Sequence, residues 1–407
     1  MRLVVATHAL SSFGGTESYV EAVAAQLGRM GHEVVVWAPV QGRVADTLRE
    51  RGLRVAATED ELGGEPDRVL ANTADVAYDL AARWPGVAQA YVCHSEVFDL
   101  QTPPQLPGVA AALVVLHDRV GRWASALGHR PEIVRLRQPV DLARFAPRGA
   151  PRERAARALV LGNYARGDRR ATVERACRQA GLEPLFVGSL TGATERPEVA
   201  IGETDVVVGK ARVIVEAMAG GRAAYVYDAN GGDGWVTPAS YAALEADNFG
   251  GQATDAAIDA RRLADDLAAY EPAMGLAGRD LAVRHHSVIH HAESLVTLLE
   301  RLGPPPREAL RDAPLRELAR MVRSVWAAES TLLGARLEAE RAHDRVVELE
   351  ARVRRADDLE RHEARVAERL ERALAAERAV EDFRSTRRFR LARALAAPVD
   401  RLRARRR

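Results

Sequence analysis

Short apolar runs and helix-period segments alternate through the first three hundred residues of the chain. Residues 2–6 read as a strand, 17–30 as an amphipathic helix closed by Gly31, and 33–38 as a second strand. Apolar runs at 68–71, 89–92 and 111–116 are each followed by polar or helix-period sequence. Strands joined through helices rather than tight turns predict a parallel sheet covered on both faces. Pro139 and Pro147 break this rhythm, and an arginine-rich stretch follows them. The alternation then restarts, with strands at 158–161, 184–187, 205–208 and 223–227 and helices near 171–180 and from 211. A second α/β domain of similar size is therefore expected. Helix-period sequence continues over 255–302 until Gly303 and Pro304–Pro306 stop it.

Beyond those prolines the texture becomes rich in Glu, Arg and Ala. Val346, Leu349, Val353, Ala356, Val366, Leu370 and Leu374 fall at roughly heptad spacing, with a slip between Ala356 and Val366. This predicts a long helix in a coiled coil. The expected divisions are 1–150 and 151–302 for the two α/β domains, 303–317 for a proline-containing linker, 318–383 for the coil and 384–407 for a tail.

Composition adds three constraints. Of the 407 residues, 47% are apolar and 28% charged, and no apolar run approaches the roughly 20 residues that cross a bilayer, which argues against a membrane-spanning chain. The chain enters its first strand without a leader pattern and has only Cys93 and Cys177, so a reducing cytoplasmic setting is expected. Charge is unevenly spread: residues 384–407 carry ten arginines and one aspartate, a net of +9 that leaves the rest of this +1 chain at −8. Lys210 is the only lysine among 58 basic residues.

That lysine lies in the run V-G-K-A-R-V-I-V-E-A-M-A-G-G from Val208 to Gly221, where a strand ends and a helix begins. Lys210 and Arg212 then stand at a helix N-terminus at the carboxyl end of a strand, where open α/β sheets bind ligands. The alternative is a solvated turn. Near the first strand, S-S-F-G-G-T-E from Ser11 to Glu17 sets Gly14 and Gly15 at another helix N-terminus, suited to a phosphate or else to a plain turn capped by Thr16. The glycine-rich segment from Tyr227 to Trp235 offers backbone amides to a ligand, or forms a long turn.

The pairing of an N-terminal G-G-T-E loop with a later V-E-A-M-A-G-G resembles glycosyltransferase family 4, over about residues 1–302. The resemblance implies a GT-B architecture: α/β, two Rossmann-like domains facing a cleft, here followed by a long α-helical coiled coil and a basic amphipathic tail. It implies an enzyme that moves a sugar from a nucleoside diphosphate sugar to a glycan or lipid-linked acceptor, with retention of configuration. It assigns Glu216 to the donor ribose, Gly14 and Gly15 to the diphosphate, and Lys210 and Arg212 to the leaving group. Arg166 and Arg169, in N-Y-A-R-G-D-R from Asn163, become further phosphate candidates, or remain surface arginines. His94, closing the strand Y-V-C-H, becomes the candidate catalytic residue beside the reacting sugar. The nucleotide sugar is a substrate, and no cofactor is implied.

One position departs from the family pattern: the earlier glutamate of E-x7-E corresponds to Val208. This supports an alternative, a weakened GT-B scaffold or binding protein that oligomerises through its coil. His285, His286, His290 and His291 include an i,i+4 pair, but no further ligand stands nearby and no metal site is expected. In the tail, Leu391, Leu395, Val399 and Leu402 recur among arginines at helical spacing, interrupted by Pro398. That suits an anionic membrane surface better than nucleic acid, so the chain is expected to be cytoplasmic and peripheral on the inner face of the cell membrane, and to be a homo-oligomer through its coil.

Overall fold

The computed structural model describes residues 1–128, 131–162, 167–188, 196–228, 231–254, 258–305 and 312–387. In the N-terminal half, β1 (Arg2–Ala6), β2 (Ala9–Leu10), α1 (Gly15–Arg29), β3 (Glu33–Trp37), β4 (Val40–Gln41), α2 (Arg43–Glu50) and β5 (Arg54–Ala56) come first. They are followed by β6 (Arg68–Ala71), α3 (Ala74–Arg83), β7 (Gln89–Cys93), β8 (Ala112–Val115), α4 (Asp118–Ala126) and β9 (Glu132–Arg135). Seven of these strands form one parallel sheet in the order β5-β3-β1-β6-β7-β8-β9, and β2 and β4 pair separately. The chain steps outward from β1 in one direction and from β6 in the other. The sheet therefore reverses its winding between β1 and β6, and that is where an open α/β sheet leaves a crevice at its carboxyl edge.

The second half repeats the plan with β10 (Arg157–Leu161), α5 (Gly167–Gln179), β11 (Glu183–Val187), α6 (Pro197–Gly202), β12 (Val206–Gly209), α7 (Arg212–Ala219), β13 (Ala223–Asp228) and β14 (Gly231–Trp235). Its sheet runs β11-β10-β12-β13-β14, with the winding reversed between β10 and β12. Only β14 is antiparallel. The glycine-rich segment after Tyr227 is therefore an edge strand rather than a loop, apart from Ala229 and Asn230, which lie outside the described residues. Gly232 belongs there for packing, since a Cβ would meet the Tyr227 ring at 2.8 Å.

The helical stretch after 255 is divided into α8 (Tyr241–Ala246) before it, then α9 (Ala260–Ala268), α10 (Pro272–His285) and α11 (Val288–Arg301). The last of these returns to the first domain: Ala292, Leu295 and Leu299 are fully buried in the core made by β1, β3 and α1. His286 and His291 tie this crossing together. His286 meets the Gln138 carbonyl at 2.7 Å and the Tyr241 hydroxyl at 2.9 Å, and His291 meets the Arg137 carbonyl at 3.0 Å and the Tyr19 hydroxyl at 2.8 Å. Both nitrogens of each ring are thus engaged in protein contacts, and burial pushes both groups down to about 4.

Helix α12 (Asp312–Ser385) completes the described chain. The compact unit that contains both sheets extends to Leu333, so the first turns of α12 belong to it. Leu315 and Ala319 are buried against Val76, Leu80 and Trp84. The unit that follows, from Gly334, has Val346, Leu349, Val353, Val366, Leu370 and Leu374 exposed along its helix.

Candidate active site

Three adjacent strand ends build one wall of the site. His94 follows β7, and its Nε2 lies 2.9 Å from Asn72 Oδ1, just after β6. The Asn72 amide nitrogen donates to the Ala6 carbonyl at 3.0 Å, so Oδ1 is the acceptor and His94 carries its proton on Nε2. The lone pair is left on Nδ1. Tyr19 packs edge-on against the imidazole with centroids 4.9 Å apart. Burial, reinforced by the charge of Arg212, pushes His94 down to about 3. His94 is therefore a neutral hydrogen-bond acceptor at working pH.

A second histidine on this wall was not singled out from the sequence. His8, two residues past β1, places Nδ1 2.8 Å from Asp75 Oδ2, and the Asp75 side chain is wholly buried. Thr73 Oγ1 donates to the other carboxylate oxygen at 2.8 Å. The carboxylate can only accept, so the His8 proton that faces it is on Nδ1, and the tautomer with that proton has its lone pair on Nε2, the opposite of His94. The signal in the sequence was the same for both: a histidine at the carboxyl end of a strand. The partner, 67 residues away, was invisible there.

At α1 the sequence expectation needs revising in one respect. Gly14 is the N-cap and Glu17 the third helical residue, and the Glu17 carboxylate is turned back toward the Gly14 amide. This is half of a capping box. A Cβ on Gly14 would lie 2.5 Å from Glu17 Oε2, whereas the space over Gly15 is open. The anion site at this helix end is thus filled by a carboxylate of the chain itself. Burial pushes Glu17 up to about 7.

The facing wall comes from the second sheet. A Cβ at Gly209 would meet the Leu161 carbonyl oxygen at 3.0 Å, so only glycine lets β12 close against β10 before the turn. Ala211 then adopts φ 50°, ψ −126°, and the Val213 amide donates to the Lys210 carbonyl at 3.2 Å. These are the marks of a type II′ turn with alanine where glycine is preferred, a strain of about 1–3 kcal/mol. The turn sets half-buried Lys210 at the mouth of the site and Arg212 at the start of α7.

Arg212 Nε lies 2.8 Å from Glu216 Oε1, and Nη1 reaches the Pro139 carbonyl at 3.4 Å. Burial is the larger influence on both partners, lowering Arg212 and raising Glu216 against their mutual attraction. Two residues expected on different parts of a nucleotide are thus paired with one another. Arg169 is exposed on α5, and Arg166 lies outside the described residues. Val208 is fully buried within β12 between Val160 and Tyr225, and it offers no polar group to the site. Among the described residues no cluster of three His, Cys, Asp or Glu side chains is placed to hold a metal ion.

The charge of Arg212 reaches His94, so the two walls lie near one another. Ion pairs bridge the domains beside them. Arg119 on α4 joins Glu96 at 2.7 Å and Asp247 at 2.8 Å, and Arg135 makes two 2.8 Å hydrogen bonds to Glu245. Arg144 joins Glu21 of α1 to Glu198 of α6.

No protein-family model and no curated protein matches the sequence. Among solved structures, the chain is similar to the Anabaena protein Alr3699/HepE in complex with UDP and glucose. That likeness has a TM-score of 0.55 at 12% identity over 74% of this chain and 100% of that one. The UDP-glucose complex of the same protein gives a TM-score of 0.53 at 13% identity, with the same coverage. The fold is that of the GT-B glycosyltransferases. In this GT-B chain the two sheets above are the facing domains, and α11 and α12 are the helices that cross back to the first. No described helix is long and apolar enough to cross a membrane.

Proposed function

We propose that the chain is a glycosyltransferase that moves a sugar from a nucleoside diphosphate donor to a glycan or lipid-linked acceptor. The observation that carries this reading is the position of Arg212: a largely buried guanidinium at the start of α7, near enough for its charge to act on His94. A diphosphate entering there competes with Glu216 for Arg212. The exchange joins the two expected roles: Arg212 turns to the phosphate charge, and the freed Glu216 carboxylate accepts from the ribose hydroxyls. Lys210 adds a second cation at the departing diphosphate, where charge develops during transfer. His94, neutral, orients a sugar hydroxyl without repelling the developing positive charge on the anomeric carbon. Retention of configuration follows from the resemblance to family 4 alone.

The exposed apolar positions of the helix after Gly334 support pairing with a second copy. The basic tail, which lies outside the described residues from 388 on, supports a peripheral place on an anionic cytoplasmic membrane surface. A binding-only reading draws on Val208, whose burial leaves the sugar without the carboxylate of the family pattern. A thermal-shift panel of nucleoside diphosphates and nucleotide sugars tests nucleotide recognition, since a ligand of the folded state raises its melting point. Failure of every ligand to raise it would overturn the reading. Binding without turnover would leave the scaffold.

A further inference from the structure

The first turns of α12 lie beyond the family resemblance, yet they touch the carboxylate that holds His8 and the loop that follows His94. Arg323 Nη1 lies 2.6 Å from Asp79 Oδ2 and 3.5 Å from Asp75 Oδ2, the carboxylate that holds His8. Three residues on, Trp326 stacks edge-on against Phe98 in the loop after His94, with centroids 5.7 Å apart. Leu315 and Ala319 seat the helix in the core, and Arg316 bonds Glu59 at 2.9 Å and Asp79 at 3.2 Å. This contact is anchored and specific rather than a loose apposition of surfaces.

Its electrostatic consequence falls on His8. Asp75 and Asp79 stand one turn apart on α3 and carry like charge, the first wholly buried and the second nearly so. A buried carboxylate needs a cation or a proton. The charged and titratable groups around the pair are Arg316 and Arg323 of α12, His8 after β1, Tyr91 of β7 and, farther out, Glu59. With Arg323 in place, the cation beside Asp75 comes from α12. Without it, Asp79 keeps Arg316, and the nearest source of positive charge for Asp75 is a proton on His8, which removes the lone pair from Nε2.

That lone pair is available to a ligand. Nδ1 is committed to Asp75, the side chain retains 12% exposure, and Nε2 is not among the buried polar atoms left without a partner. His8 and His94 flank the winding reversal on strands two places apart, about 10 Å from strand spacing, each presenting an acceptor nitrogen. We propose that the wall built by the first sheet is the acceptor half-site and that Arg323 of the C-terminal helix is a positioning residue of it, satisfying Asp75 so that His8 Nε2 accepts a hydrogen bond from the incoming sugar hydroxyl. This rests on the glycosyltransferase reading above. The long helix would then be required by the site itself, whatever its distal part does.

The test is a histidine NMR titration of the full-length chain, with His8→Gln assigning the resonance. In Arg323→Gln the His8 midpoint is expected to rise by about one unit or more relative to wild type, and in Asp75→Asn to fall. Arg323→Lys keeps the charge and is expected to stay near wild type, which separates loss of the cation from disturbance of the helix. An unchanged midpoint in Arg323→Gln overturns the proposal. If that variant does not fold, a lysine variant whose His8 midpoint moves as far as in Asp75→Asn overturns it instead. UDP and GDP binding, followed in parallel by thermal shift, is expected to be unaffected by Arg323→Gln. Loss of nucleotide binding in that variant would also overturn the proposal, because it places Arg323 outside the acceptor half. A shifted midpoint in a chain whose wild type ignores every nucleotide would retain the effect of Arg323 on His8 and defeat the glycosyltransferase reading.

Discussion

Arg212 and Glu216 hold each other at 2.8 Å, one turn apart on α7, in a site where each was expected to hold part of a nucleotide. Both side chains are largely buried, so neither can be removed without leaving the other in a poorly solvated place. Arg212→Ala is expected to weaken binding of a nucleoside diphosphate more than that of the nucleoside, and to cost about 3 kcal/mol of stability. Glu216→Ala reverses the order of ligand losses. Calorimetric titration with both ligands checks this, and equal losses in both variants would remove the pair from the site.

His94 is expected to matter for turnover rather than for affinity. His94→Ala should leave donor binding within a few-fold of wild type while lowering transfer about 10²-fold, the scale of a positioned polar group at a reacting centre. Because His94 is held down to about 3, it should add no inflection to the rate profile between pH 5 and 8. Steady-state rates across that range decide both points.

Glu17 supplies a pH dependence of its own. Its carboxyl group is pushed up to about 7 and occupies the helix end that would face the diphosphate. Above that pH the charged form competes with the ligand, and below it the competition is relieved. Nucleoside diphosphate affinity should therefore rise roughly threefold to tenfold as pH falls from 8 to 6, the scale of an anion at a helix N-terminus. Glu17→Gln should bind at pH 8 as wild type does at pH 6. A wild-type affinity independent of pH would show that the phosphate lies elsewhere.

The distal helix predicts an assembly. Deleting residues 334–407 leaves the compact unit and its α12 contacts intact. The shortened chain should be monomeric, remain in solution beside anionic vesicles and keep its nucleotide response. The full chain should sediment as an oligomer and pellet with phosphatidylserine vesicles at low salt. Analytical ultracentrifugation and vesicle sedimentation test the two halves separately.

Local periodicity and punctuation carried the architecture. Runs such as Arg2–Ala6 and Val206–Gly209 are apolar on both faces because helices cover their sheets on both sides, and that demand is written in consecutive residues. The same locality made His94 and the turn from Lys210 to Arg212 visible, since both lie at strand ends. Glu17 was within reach too, three residues from Gly14, but a glycine pair at a helix start is consistent with either a phosphate or a capping carboxylate. Only packing decided between them. The edge strand Gly231–Trp235 was hidden because its glycines answer to neighbours brought by the fold, among them the Tyr227 ring. His8, Asp75 and Arg323 come from three distant parts of the sequence and meet only when β1, α3 and α12 are assembled. Their charges and protons depend on burial and on one another, and a linear sequence contains neither quantity.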